Sequence, residues 1–232
     1  MNSKQIAGEK AVDFIENNMT VGLGTGSTAF WAIKKIGERI KNENLQLTCT
    51  ATSVQSEILA RENNIPLTSV SEISSIDITI DGADEIDHNL NMIKGGGGAL
   101  LREKIIAWIT KKYIIVTDES KYVPALGKFK LPVEVVPFGW ERTKEHLEQL
   151  GASTTIRKMN NDVYITDNGN YIIDCDFGLL NDVHALETNI HNIPGVVVCG
   201  LFLDRTDLLI IGKENGEAEI IENGKWKVEN GK

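Results

Sequence analysis

The sequence has few cysteines, no excess of positive charge and no long apolar run, and each shortage removes a class of protein. Its three cysteines, Cys49, Cys175 and Cys199, are odd in number and show no C-x-x-C spacing. A disulfide framework and a structural zinc site are therefore not expected. Lys and Arg number 24 against 33 Asp and Glu, for a formal net charge of −9. Such a chain has no broad attraction for nucleic acid or an anionic membrane. A small anionic ligand is still compatible, because its binding depends on local field. No apolar run reaches the ~18 residues of a membrane helix. The N-terminal MNSKQIAGEKAVDFIENN carries acids where a signal peptide has an apolar core. The expectation is a cytoplasmic protein with reduced thiols. His88, His146, His184 and His191 lack metal-ligand spacing, so no metal is expected. There is no G-x-S-x-G nucleophile elbow, internal repeat or low-complexity tract.

What is present alternates. Ser3 can cap a helix with Ala7, Ala11, Phe14 and Ile15 on one face. A strand at Thr20–Leu23 runs through a glycine-rich loop into a helix with Phe30, Ile33, Ile36 and Ile40 on its buried side. Strand, helix and strand patterns follow at 47–51, 53–64 and 67–70. Ile76–Ile80, a helix in ALLREKIIAWI and Tyr113–Thr117 complete the series. This order predicts an α/β fold, a mostly parallel Rossmann-like sheet with helices on both faces. From Leu131 to about Leu203 the rhythm becomes β-α-β-β-α-β, with a hairpin expected at Asn168-Gly169. That order suggests a small ferredoxin-like α+β domain. The expected division is 1–130 with 205–232, and 131–204. Two strands about Asn215-Gly216 return to the first domain, and the closing NGKWKVENGK reads as loose.

Three motifs follow predicted strands, where ligands of such sheets bind. Gly22-Leu23-Gly24-Thr25-Gly26-Ser27-Thr28 opens a helix, and its amides and hydroxyls suit an anion; it also fits a tight turn with an ordinary cap. It lacks the lysine of a P-loop and the spacing of a dinucleotide fingerprint. Asp81-Gly82-Ala83-Asp84-Glu85-Ile86-Asp87 puts four carboxylates in seven residues. That cluster suits proton transfer, hydroxyl binding or a divalent metal, and equally a solvated acidic loop. Lys94-Gly95-Gly96-Gly97-Gly98 precedes Arg102-Glu103-Lys104, and glycines there let amides face a ligand closely. Glu103 reads as lying on the polar helix side, opposite Leu101, Ile105 and Trp108; alone it reads as surface, as does Lys121.

Taken together, GLGTGST, DGADEID, KGGGGALLREK, VVPFGWERT and TDNGN resemble type A ribose-5-phosphate isomerase, over nearly the whole chain. The resemblance implies an aldose-ketose isomerase of the pentose phosphate pathway that interconverts ribose 5-phosphate and ribulose 5-phosphate, without metal or cofactor, as a homodimer or homotetramer. It implies that Thr25, Gly26, Ser27 and Thr28 bind substrate and that Asp81, Gly82, Ala83, Asp84, Lys94, Gly95, Gly96 and Gly97 line the sugar site. Glu103 matches the catalytic base and Lys121 a substrate-binding lysine. One departure is Gly98, where a relative can carry alanine.

The implied chemistry moves a proton between C2 and C1 through a cis-enediolate. Partial burial would raise Glu103 toward neutrality and make it a competent base. Lys94 and the glycine amides would hold the charge on O1 and O2. Asp81 and Asp84 would share ring opening and hydroxyl orientation, in roles that are interchangeable by sequence. The rival readings are a sugar-phosphate deaminase or CoA-transferase, and a non-catalytic sugar-phosphate sensor.

Overall fold

Short aliphatic runs form the central sheet of the larger of two units. Its six strands lie in the order Ala218–Glu222, Leu208–Gly212, Thr110–Asp118, Ile76–Gly82, Thr20–Leu23, Thr48–Ala51. The first pair is an antiparallel hairpin and all the others are parallel. The computed structural model describes residues 2–224. The larger unit takes the chain up to Ala83, Arg102–Tyr122 and the segment from Arg205 onward; the smaller takes Asp84–Leu101 and Val123–Asp204. The smaller unit ends at Asp204. Residues 84–101 and 123–130 group with the smaller unit, not the larger as the sequence reading had them.

On one face of the large sheet, Val21, Leu23, Ile78, Ile80, Ile114, Val116, Leu208 and Ile210 pack with Ala7, Ala11, Ala32, Ile33, Ile36 and Ala60 of three helices. The alternate residues Thr79, Asp81, Tyr113, Ile115, Leu209 and Ile211 are buried as well. Burial on both faces is the condition of a parallel sheet. After Thr20–Leu23 the chain adds Thr48–Ala51 on one side, then crosses back to place Ile76–Gly82 on the other. The strand order therefore reverses between Thr20–Leu23 and Ile76–Gly82, and the loops leaving their carboxyl ends open onto one crevice.

The smaller unit has an antiparallel sheet ordered Val196–Cys199, Leu131–Val135, Tyr171–Asp176, Ser153–Ile156. Helices Trp140–Gln149 and Val183–His191 complete the expected β-α-β-β-α-β order. Leu131, Val133, Val135, Leu147, Ile173 and Ile190 form its core. Residues 84–101 add the short strands Glu85–Asp87 and Met92–Ile93, which pair with each other, and Met92–Ile93 also pairs with Leu201–Phe202.

Several local expectations change. Asn2 rather than Ser3 caps the first helix, accepting from Gln5 N–H. Phe30 is exposed, while Ala29, Ala32 and Ile33 take the buried side. Residues 67–70 make a single bridge, Leu67 to Cys49. Asn168-Gly169 is a turn but not the tip of a two-strand hairpin: Tyr171–Asp176 pairs with Ser153–Ile156, and Asp162–Val163 pairs back to Lys158–Met159. The reason is that Thr166 and Asn170 donate to buried Glu134 at 3.0 and 2.9 Å, which fixes the turn by side chains. The C-terminal expectation falls mostly on residues 225–232, outside the described residues. No helix among the described residues is long and apolar enough to cross a membrane.

Candidate active site

In the larger unit the loop after Thr20–Leu23 is tied to the strand beside it. Asp81 is fully buried, and its Oδ1 accepts from Thr25 N–H at 3.0 Å and Gly82 N–H at 2.8 Å. Its Oδ2 accepts from the Tyr113 hydroxyl at 2.8 Å. Gly24 is required for this approach: a Cβ there would stand 2.4 Å from Asp81 Oδ1. Burial, reinforced by the Asp81 and Glu103 carboxylates, pushes the Tyr113 phenol well above its ordinary range. Tyr113 therefore stays a proton donor to Asp81 Oδ2. The sequence reading missed it, because an aromatic in a strand reads as core.

The loop's own hydroxyls divide. Thr25 is buried and turns its Oγ1 inward, 2.7 Å from Thr52 and 2.8 Å from Ser53. It therefore contributes backbone, not the outward hydroxyl that the sequence suggests. Gly26 has φ +106°, a conformation natural to glycine. Ser27 is exposed and accepts from the Lys4 ammonium at 3.0 Å. Thr28 makes no side-chain cap to the helix Ala29–Glu43, whose Phe30 and Trp31 N–H groups donate to Gly26 O and Thr28 O. Lys4 is a second residue missed by sequence, since only folding brings the first helix to this loop. Lys121 ends the short 3-10 turn after Thr110–Asp118, at the same strand ends as Asp81.

Glu103 lies in the helix Leu100–Trp108 and is only 4% exposed. The sequence reading had this helix turned round. Ile105 and Trp108 are exposed, and Leu100, Glu103, Ile106 and Ala107 are buried. Apolar residues occur on both sides of this short helix, so periodicity could not choose between them.

In the smaller unit Lys94 is 2% exposed, with its ammonium 5.5 Å from the Phe202 ring centre. Asp84 is half-buried, and its Oδ2 accepts from Gly96 N–H at 2.7 Å. Gly95 and Gly98 have φ of +99° and +80°. A Cβ on Gly96 would collide with the Asp84 carboxylate, and one on Gly98 with the Tyr164 hydroxyl. The other two acids of the cluster hold backbone: Glu85 accepts from Gly127 and Phe129 N–H, and Asp87 from Asn89 and Asn91 N–H. All four acids of the cluster thus accept from backbone N–H groups.

Thr25, Gly26, Ser27, Thr28, Asp81, Gly82, Ala83, Glu103 and Lys121 therefore belong to the larger unit, and Asp84, Lys94, Gly95, Gly96 and Gly97 to the smaller. The chain passes directly from Ala83 to Asp84 and from Leu101 to Arg102. Away from these residues, Glu187, His191 and Cys199 bring potential ligand atoms within 4.8 Å of one another. Histidine spacing gave no sign of that grouping, because two of its three members are not histidines.

Comparison with known proteins places the chain. The family profile of ribose 5-phosphate isomerase A (phosphoriboisomerase A) matches residues 48–216. A ribose-5-phosphate isomerase A of Bacillus cereus is 52% identical over 95% of this chain and 100% of its own length. Its counterpart in Bacillus mycoides is 49% identical over 94% and 99%. Among solved structures, the ribose 5-phosphate isomerase of Plasmodium falciparum superposes with a TM-score of 0.92 at 42% identity, over 95% of this chain and 98% of that one. A D-ribose-5-phosphate isomerase in complex with phospho-erythronic acid gives 0.91 at 41% identity, over 96% and 100%. This chain belongs to the ribose 5-phosphate isomerase A family.

Proposed function

We propose that the chain interconverts D-ribose 5-phosphate and D-ribulose 5-phosphate with Glu103 as the proton shuttle. The observation that carries this reading is the burial of two opposite charges: Glu103 at 4% exposure in one unit and Lys94 at 2% in the other. Withdrawing an ionisable group from water is costly, and such groups concentrate at functional sites as well as in structural networks.

Glu103 takes the proton from C2 of the open-chain aldose and returns it to C1 through a cis-enediolate, while the hydroxyl proton of O2 passes to O1. Negative charge then grows on the oxygens at C1 and C2. The Lys94 ammonium and the glycine-loop amides stabilise it. The phosphate is held by the helix-start amides at Ser27 and Thr28, with Lys4 and Lys121 supplying positive charge. Its binding energy fixes the reacting carbons at the far end. Asp81 already accepts three hydrogen bonds, so its part is to hold the Thr25 turn. Ring-opening proton transfer then goes to Asp84, which is half-buried and holds one amide through Oδ2.

The test is Glu103→Gln, assayed on ribose 5-phosphate with chelator present. The expected result is a kcat lower by about a thousandfold with KM little changed. Near-normal turnover by folded variant would remove Glu103 as the base, and inactivity of the parent protein under chelator would remove the metal-free reading. The same proposal includes a cytoplasmic location, supported by three buried free thiols. It also includes a homodimer or homotetramer through the smaller unit, supported by exposed Phe138, Ile165 and Leu179. Light scattering that gives a monomer mass would remove the oligomer.

A further inference from the structure

The Gly95–Gly97 turn is gripped from its carbonyl side by a partly buried cation that has no part in the reading above. Arg157 follows the strand Ser153–Ile156. Its Nη1 donates to Gly95 O at 2.7 Å and to Gly96 O at 3.1 Å. Its Nε donates to Asp174 Oδ2 at 3.0 Å, and Nη2 donates to Asp174 Oδ1. Asp174 stands on the strand Tyr171–Asp176. The Arg157 backbone is fixed as well, through Ile172 O at 2.8 Å and Tyr164 N–H at 2.9 Å. A planar fork held by a carboxylate on one side and two carbonyls on the other has its orientation set.

A trans peptide points its C=O and the following N–H in opposite directions. With Gly95 C=O on the guanidinium, Gly96 N–H faces the other way, where it meets Asp84. With Gly96 C=O on the same guanidinium, Gly97 N–H is likewise turned away from Arg157, on a glycine that is exposed. A cation at the carbonyl oxygens also polarises both peptides and strengthens their N–H groups as donors.

We infer that Arg157 is a positioning residue of the isomerase reaction, which orients and polarises the Gly95–Gly96 and Gly96–Gly97 peptides so that Gly97 N–H meets the charge developing on the enediolate. This rests on the glycine loop having the stabilising part given to it above. Arg157 itself touches no reacting atom. Lysine keeps the charge but cannot span both carbonyls and Asp174 together.

The test compares Arg157→Ala and Arg157→Lys with the parent protein for kcat and KM on ribose 5-phosphate. Phospho-erythronic acid, whose carboxylate imitates the two enediolate oxygens, serves as inhibitor. Guanidinium is added to the alanine variant well below the unfolding midpoint. Expected is a kcat loss of about a hundredfold in both variants, with KM within about threefold. Inhibitor affinity should fall with kcat, and guanidinium should restore part of kcat in Arg157→Ala while leaving the parent unchanged. Folded variants with kcat within about twofold of the parent overturn the inference. So does a loss confined to KM, or a kcat loss that guanidinium leaves untouched. If circular dichroism shows Arg157→Ala unfolded, Arg157→Lys decides by the same kcat and inhibitor criteria. A parent protein without isomerase turnover would instead overturn the reading of the site.

Discussion

In the larger unit the candidate groups sit where topology places ligand sites: the 24–28 loop and Asp81 leave neighbouring parallel strands at the point where strand order reverses. In the smaller unit, Lys94, the glycine loop and Asp84 lie outside the β-α-β-β-α-β core, on the 84–101 excursion. The first arrangement depends on strand ends and helix termini, which the fold supplies wherever it forms. The second depends on side chains holding a glycine turn, Asp84 on one face and Arg157 on the other. Preorganisation is thus general in one unit and specific in the other, so point substitutions should separate them.

The largest effect that sharpens this contrast, after loss of the Glu103 carboxylate, is expected from Lys94→Ala. Its kcat should fall by about a hundredfold. Steady-state kinetics that show a change in KM alone would give Lys94 a binding role only. Next is Gly98→Ala, which adds a Cβ at φ +80° and 2.3 Å from the Tyr164 hydroxyl. It should destabilise the protein by about 1–2 kcal/mol, and calorimetry of Gly98→Ala with and without Tyr164→Val would show part of the loss recovered. An unchanged melting temperature would mean the loop is not packed as described.

Smaller still is Tyr113→Phe in the other unit. The buried phenol titrates well above its ordinary range, so in the folded state it keeps its proton when an unfolded tyrosine, near pH 10, begins to lose it. The unfolded state then binds fewer protons and stability falls as pH rises past about 10. Melting temperatures of the parent should therefore drop more steeply than those of Tyr113→Phe in that window. Parallel curves would show that Tyr113 is not held as described.

Much of the fold could be read from the chain, because periodicity and turn residues are local. The six-element order of the smaller unit and the Asn215-Gly216 hairpin were legible for that reason. The Asn168-Gly169 pairing was not, since buried Glu134 holds that turn through contacts remote in sequence. Site residues were legible as motifs, but their orientation was not. Glu103 on a helix with apolar residues all round, and Thr25 in a loop of hydroxyls, both face opposite to the sequence expectation.

The sequence by itself determined the α/β class, the glycine loops, the acidic cluster and the lysine, because each is set by residue type and short spacing. Only the tertiary structure decided which carboxylates face inward, that Lys4 stands on Ser27, that Tyr113 holds Asp81 and that Arg157 holds the glycine turn. Those partners are separated by 23 to 62 positions along the chain, and residues so far apart are brought into contact by packing, not by local preference.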